Sequence, residues 1–176
     1  MALERKGADV ADLVITVSEA MKRELAGQGI PEGKIRVCYH GVDSKFFDPQ
    51  KVDEKSLAAK RKSYGFEKDD IIILFVGRLE PVKGVRELIA ALPCVRAEHR
   101  NVKLLMLGVG SLEGWAENEA TRQGNITLVT DFVDAEEKRL HYALADLCVF
   151  PSLYEPFGIV ALEAAAMGKA AVVGAA

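Results

Sequence analysis

No stretch of this 176-residue chain approaches the roughly 20 consecutive apolar residues that a membrane-spanning helix needs, and its opening, MALERKGADV, lacks the apolar core of a secretory signal. Nor is there an excess of charge of one sign. Lys and Arg number 23 against 26 Asp and Glu, a formal net charge of −3, so no global field draws in a nucleic-acid backbone or an anionic bilayer, and any anion site has to be local. Cysteine is sparse: Cys38, Cys94 and Cys148 are an odd number, widely spaced, and fit neither a disulfide framework nor a zinc site. Cys38 and Cys148 lie in apolar, strand-like runs, so buried free thiols in a reducing compartment are expected. His40, His99 and His141 are scattered without ligand spacing, and no Asp-x-Asp pair is present to hold a metal-bound diphosphate, so no metal is expected. What remains is a chain with 49% hydrophobic residues, enough for a sizeable core, and the expectation is a soluble, cytoplasmic protein of one ordinary domain or one domain plus a fragment.

Along the chain, short β-rich apolar runs alternate with helical stretches. ADLVITVS (11–18) reads as a strand, 19–28 as a polar helix and KIRVCYHG as a second strand ending at Gly41. The charged segment 48–70 reads as a connector with a short helix over 54–64. IIILFVG is a continuous apolar run, which suits a strand covered on both faces, and 85–98 is a helix. VKLLMLG, NITLVTDF, DLCVFP and AAVVGA read as further strands, with helices over 112–123, 135–145 and the stretch PFGIVALEAAAMG. This alternation predicts an α/β fold: a Rossmann-like, doubly wound parallel sheet whose ligands bind at the carboxyl ends of its strands. The chain opens on a strand and stops after AAVVGAA, so a piece of a longer enzyme, incomplete at both ends, is expected.

Two stretches carry the chemistry. In FVGRLEPVKG (75–84) a buried strand breaks at Gly77 and delivers Arg78 and Lys83 into the loop before a helix. A guanidinium fork, an ammonium and a helix N-terminus together describe a diphosphate clamp. In PSLYEPFGIVALE (151–163) a loop at a strand's carboxyl end leads into a helix expected to begin near Pro156 or Phe157. Glu155 then sits at the helix mouth and Glu163 about two turns in, both able to face one cleft. Gly158 lets a ligand approach, and the amides of Gly158 and Ile159 can point at an anion. Carboxylates suit paired sugar hydroxyls, so a phosphate held between Glu155 and Glu163 places a sugar at one and a ribose at the other. GVGSLEG (108–114) approaches a dinucleotide fingerprint, with Asp131 where a ribose-binding acid would stand, but its third glycine falls one residue late and a plain turn is expected. Trp115 and Tyr142 are expected to pack helices.

GRLEPVKG together with EPFGIVALEAAAMGKAAVV resembles the donor-binding half of the retaining glycosyltransferases of GT-B fold, the broad group that includes glycogen synthases and sucrose synthases. ADLVITVSEAMKREL and KIRVCYHGVD resemble the end of that family's first domain, whose connector commonly has Asn at the position of His40. The resemblance implies residues 1–44 as a remnant of the acceptor domain and connector, and 45–176 as the nucleotide-sugar domain. It implies that Arg78 and Lys83 neutralise the diphosphate, that Glu155 and the amides of Phe157, Gly158 and Ile159 hold the donor sugar, that Glu163 binds the ribose, and that the backbone near Gly77, Phe132 and Val133 lies against the donor, with the base at Phe132 and Val133. It further implies metal-independent transfer of a hexose from a UDP-, ADP- or GDP-sugar to an acceptor hydroxyl on a sugar, glycan or lipid-linked glycan, with the missing acceptor domain as partner and the fragment alone inactive in transfer. Lys169-Ala170 departs from the Thr-Pro often found there. Two other readings stay open: an NAD-dependent or epimerase-type enzyme on the same sheet, and a non-catalytic nucleotide-binding module.

Overall fold

The computed structural model describes residues 2–175, the side chains of residues 2–5 excepted. Its contacts divide the chain into two compact units, one of Met1–Gly41 with Pro156–Ile159, the other of Val42–Glu155 with Val160–Ala176.

In the first unit, helix α1 (Ala2–Val10) precedes strand β1 (Val14–Thr16), helix α2 (Glu19–Gly27) and strand β2 (Ile35–Val37). The expectation that the chain opens on a strand is corrected: α1 precedes β1, built on the helix-forming run ALERK before Gly7, and its Ala8 is buried with Ile30 and Ile35. The β1 and β2 strands pair in parallel over three residues, Val14↔Ile35 to Thr16↔Val37. The second strand therefore ends four residues before Gly41. Cys38 beyond it is exposed, as is Cys94, so of the three free thiols Cys148 alone is buried. The segment 156–159 packs here through Phe157, whose ring meets His40 edge-on at 5.3 Å.

The second unit holds helix α3 (Glu54–Ser63), then strands β3 (Ile71–Val76), β4 (Val102–Leu107), β5 (Ile126–Val129), β6 (Leu147–Phe150) and β7 (Ala170–Val173), with helices α4 (Val85–Glu98), α5 (Glu113–Gln123), α6 (Ala135–Leu144) and α7 (Ile159–Ala166) between them. All five strands are parallel, in the order β5-β4-β3-β6-β7. Successive side chains of a strand point to opposite faces, and here both faces are covered. Ile72 and Leu74 join Leu105, Leu107, Tyr142, Leu144 and Ala164 on one side, while Ile73 and Phe75 join Leu104, Met106 and the α4 residues Val85, Leu88, Ile89 and Leu92 on the other. That is why IIILFV has no polar alternation. Each of these fully buried aliphatic side chains contributes about 1.5–3 kcal/mol of transfer free energy.

The register aligns Val76, Leu107 and Val129 across β3, β4 and β5, so the loops that follow emerge side by side. Gly108 makes their close approach possible: a Cβ there would lie 1.9 Å from the carbonyl oxygen of Gly77. The two loops are zipped by Leu79 N–H to the Val109 carbonyl (2.8 Å) and Leu112 N–H to the Leu79 carbonyl (2.9 Å).

Candidate functional site

Arg78 and Lys83 leave β3 in different directions. Arg78 is exposed, and its charge acts, behind two hydrogen bonds from Ser111, to hold the Glu80 carboxyl below its ordinary range. Lys83 closes a short 3-10 turn (Pro81–Lys83) followed by Gly84 at φ 67°, the left-handed region that glycine enters without strain. A Cβ at Gly84 would stand 2.0 Å from the carbonyl oxygen of Pro151, so the glycine brings the β3 loop onto the loop after β6. Leu153 N–H donates to the Val82 carbonyl at 2.8 Å and fixes that contact. The Lys83 ammonium then reaches Glu155 Oε2 at 2.7 Å, and Ser152 Oγ donates to the same oxygen at 3.2 Å.

Helix α7 starts at Ile159, later than expected. Pro156 and Gly158, the latter at φ 80°, hold the preceding residues out of helical geometry. Glu155 is consequently four residues ahead of the helix, and Glu163 lies in its second turn rather than two turns in. Glu163 is buried at 5% exposure, and both its oxygens are engaged, Oε1 by Lys138 Nζ at 2.6 Å and Oε2 by the Tyr142 hydroxyl at 2.8 Å. Burial, and then the charge of Glu163, push the Tyr142 phenol well above its ordinary range, so it stays protonated as a donor.

A cavity of about 420 Å³ opens at the carboxyl ends of β3, β4 and β5. Gly77, Arg78, Phe132 and Val133, all singled out from the sequence, line it, and so does Lys138, which links it to Glu163. Phe132 is 95% exposed at its rim. Lys83 and Glu155 form a separate pair outside the cavity lining. Phe157, Gly158 and Ile159 belong by their contacts to the first unit. Gly108, in the loop that resembles a dinucleotide fingerprint, packs against the Gly77 backbone, and Asp131 lines the same cavity. Trp115 packs beside the α4/α5 core under the Arg86 guanidinium, 4.5 Å from its centroid, and Tyr142 is wholly buried; both pack helices, and Tyr142 also bonds Glu163. Sequence reasoning missed Lys138, Ser152 and the hydrogen-bonding role of Tyr142. The one available signal was the four-residue spacing of Lys138 and Tyr142, which sets both on one face of α6.

Among the described residues no group of three or more His, Cys, Asp and Glu side chains is arranged to hold a metal ion, and no helix is long and apolar enough to cross a membrane.

Residues 57–176 match the family model of glycosyl transferases group 1. The chain belongs to that family. Residues 1–46 match a second model, glycosyltransferase family 4. An uncharacterised glycosyltransferase of Methanocaldococcus jannaschii is 39% identical over 163 residues, 91% of this chain and 41% of that protein. A glycogen synthase of Mycobacterium tuberculosis is 38% identical over 164 residues, 90% of this chain and 36% of the relative. Among solved structures, the sucrose-phosphate synthase of Thermosynechococcus elongatus is similar with a TM-score of 0.76 at 29% identity, covering 99% of this chain and 43% of that one. The group 1 glycosyltransferase chain thus spans about two fifths of the length of the relatives it matches, and its second unit is a GT-B-type Rossmann-like sheet.

Proposed function

We propose that the chain carries the nucleotide-sugar site of a retaining, metal-independent hexosyltransferase, with residues 45–176 as the donor domain and residues 1–44 belonging to the acceptor side and connector. The observation that carries this reading is the cavity where Gly77, Arg78, Phe132 and Val133 converge at the strand ends, joined through Lys138 to a carboxylate with both oxygens already oriented. A nucleobase lies against the backbone at Phe132 and Val133, and the ribose hydroxyls donate to Glu163. Arg78 and Lys83 meet the diphosphate. As the glycosidic bond breaks, negative charge grows on the distal phosphate, and these two cations stabilise it more in the transition state than in the bound donor. Glu155 accepts hydrogen bonds from the sugar, and the acceptor attacks the face that the nucleotide leaves. The roles of the Phe157, Gly158 and Ile159 amides rest on the sequence resemblance alone. Arg78 on the cavity wall and Lys83 in the adjoining loop are cations that can offset charge on a leaving diphosphate, the part a metal ion would otherwise take, which supports metal independence. The M. tuberculosis relative is named a glycogen synthase and the T. elongatus structure a sucrose-phosphate synthase, names that fit hexosyl transfer from a nucleotide sugar.

The test is a panel of UDP-, ADP- and GDP-hexoses with sugar and glycan acceptors, with and without EDTA, following released nucleoside diphosphate and the anomeric configuration of the product. For the 176-residue chain, whose assigned residues are all on the donor side, donor binding is expected without acceptor-dependent turnover. NAD binding in preference to every nucleotide sugar would replace the proposal with the dehydrogenase-like reading.

A further inference from the structure

We infer that Lys138, with Tyr142 one turn behind it, is a positioning residue that presets Glu163 for a pair of ribose hydroxyls and so sets the preference of the site for ribonucleotides; the inference rests on the donor-site reading above. Lys138 and Tyr142 stand at i and i+4 of α6 and donate to different oxygens of the same carboxylate, Oε1 at 2.6 Å and Oε2 at 2.8 Å. An ionised carboxyl offers about four lone-pair sites. With one taken on each oxygen, the two that remain belong to different oxygens, the arrangement that two adjacent hydroxyls can meet with one hydrogen bond apiece. A 2′-deoxy sugar leaves one of them unmet.

The surroundings hold this arrangement. Tyr142 is wholly buried, its ring meets Phe47 edge-on at 6.0 Å, and its hydroxyl also lies 3.3 Å from the Val160 carbonyl, the residue three before Glu163. The Lys138 ammonium lies 5.4 Å from the centroid of the same Phe47 ring, between the buried carboxylate and the cavity it lines with Arg78 and Phe132. Glu163 is 5% exposed, and without Lys138 the Tyr142 hydroxyl is the one of these two donors that its carboxylate keeps. Lys138 therefore has two consequences: it holds the Glu163 carboxyl in place, and it places a further cation on the cavity wall.

The experiment measures binding of UDP, ADP and GDP and of their 2′-deoxy counterparts to the full 176-residue chain and to Lys138→Met, Lys138→Arg, Tyr142→Phe and Glu163→Gln, with far-UV circular dichroism to confirm folding. The wild type should prefer its ribonucleotide to the deoxy form by at least about tenfold, the lower end of the range for one hydrogen bond to a charged group. Lys138→Met should bring that ratio close to one, Lys138→Arg should restore most of it, and Tyr142→Phe gives the same readout if Lys138→Met fails to fold. A ratio lost in Glu163→Gln but kept in both Lys138→Met and Tyr142→Phe overturns the positioning role and leaves the donor site standing. A ratio near one in the wild type, or one unchanged in Glu163→Gln, overturns the ribose reading and the inference with it.

Discussion

Lys83 and Glu155, 72 residues apart in sequence, are joined by an ion pair of 2.7 Å that sets a side chain assigned to the phosphate against one assigned to the sugar. Both are partly exposed, at 19% and 27% of their side chains, a setting in which such pairs contribute about 0.2–1 kcal/mol. On the proposed reading, a diphosphate arriving at Lys83 would have to compete with the carboxylate.

Glu155→Gln removes that competitor. Affinity for the free nucleoside diphosphate should hold or rise by up to about fivefold, the factor that the weak pair allows. Affinity for the sugar-bearing donor should fall, because its hydroxyls lose a charged acceptor. Glu163→Gln, by contrast, should weaken both ligands. Calorimetry on the two variants decides it, and parallel losses for both ligands in both variants would mean that the carboxylates do not serve opposite ends of the donor.

Gly84→Ala tests the loop contact that creates the pair. With φ at 67° and Pro151 O at 2.0 Å from any Cβ, alanine has neither the conformation nor the space. The variant should lose more than about 1 kcal/mol of stability in urea titration, and its diphosphate affinity should fall because Lys83 is displaced. A variant as stable as the wild type would show that the β3 loop does not depend on this approach.

His141 predicts a pH dependence of folding. The ring is fully buried, Nε2 lies 2.6 Å from the Tyr64 hydroxyl and Nδ1 2.7 Å from the Glu137 carbonyl, partners that a neutral imidazole satisfies as acceptor and donor. Burial lowers its pKa from 6.5, opposed by the Glu137 carbonyl and carboxylate and reinforced by the charge of Lys60. Below 6.5 the unfolded chain therefore binds the proton more readily than the folded one, so this contribution is present above 6.5 and is lost as pH falls toward the folded value. The melting temperature should drop between about pH 7 and pH 5.5 more steeply in the wild type than in His141→Gln. Equal slopes would remove His141 from the account.

Much of this architecture is legible in the chain because local and global signals agree. The unbroken run IIILFV has to be a strand covered on both faces, and Gly84 marks the start of α4 where the helical period begins. Arg78 and Lys83 are legible as a loop pair because a strand break and a helix start fix their place. The failures are tertiary. Helix α1 is held by Ala8 packing against Ile30 and Ile35, and Cys38 is exposed just past the end of the three-residue β2, although its N–H still bonds the Thr16 carbonyl of β1. The late start of α7 follows from Gly158, whose positive φ the sequence permits without requiring. Lys138 looks like a solvated helix charge until Glu163, 25 residues on, is folded against it.

On the proposed donor-site reading, the loop after β3 clamps a diphosphate beside the cavity at the ends of β3, β4 and β5. Calorimetric titration of the 176-residue chain with UDP, ADP and GDP, beside Arg78→Ala and Lys83→Ala, tests it most directly. At least one nucleotide should bind, and each substitution should cost about 1.5–3 kcal/mol, the range for hydrogen bonds to charged groups. Unchanged affinity in both variants would contradict the clamp.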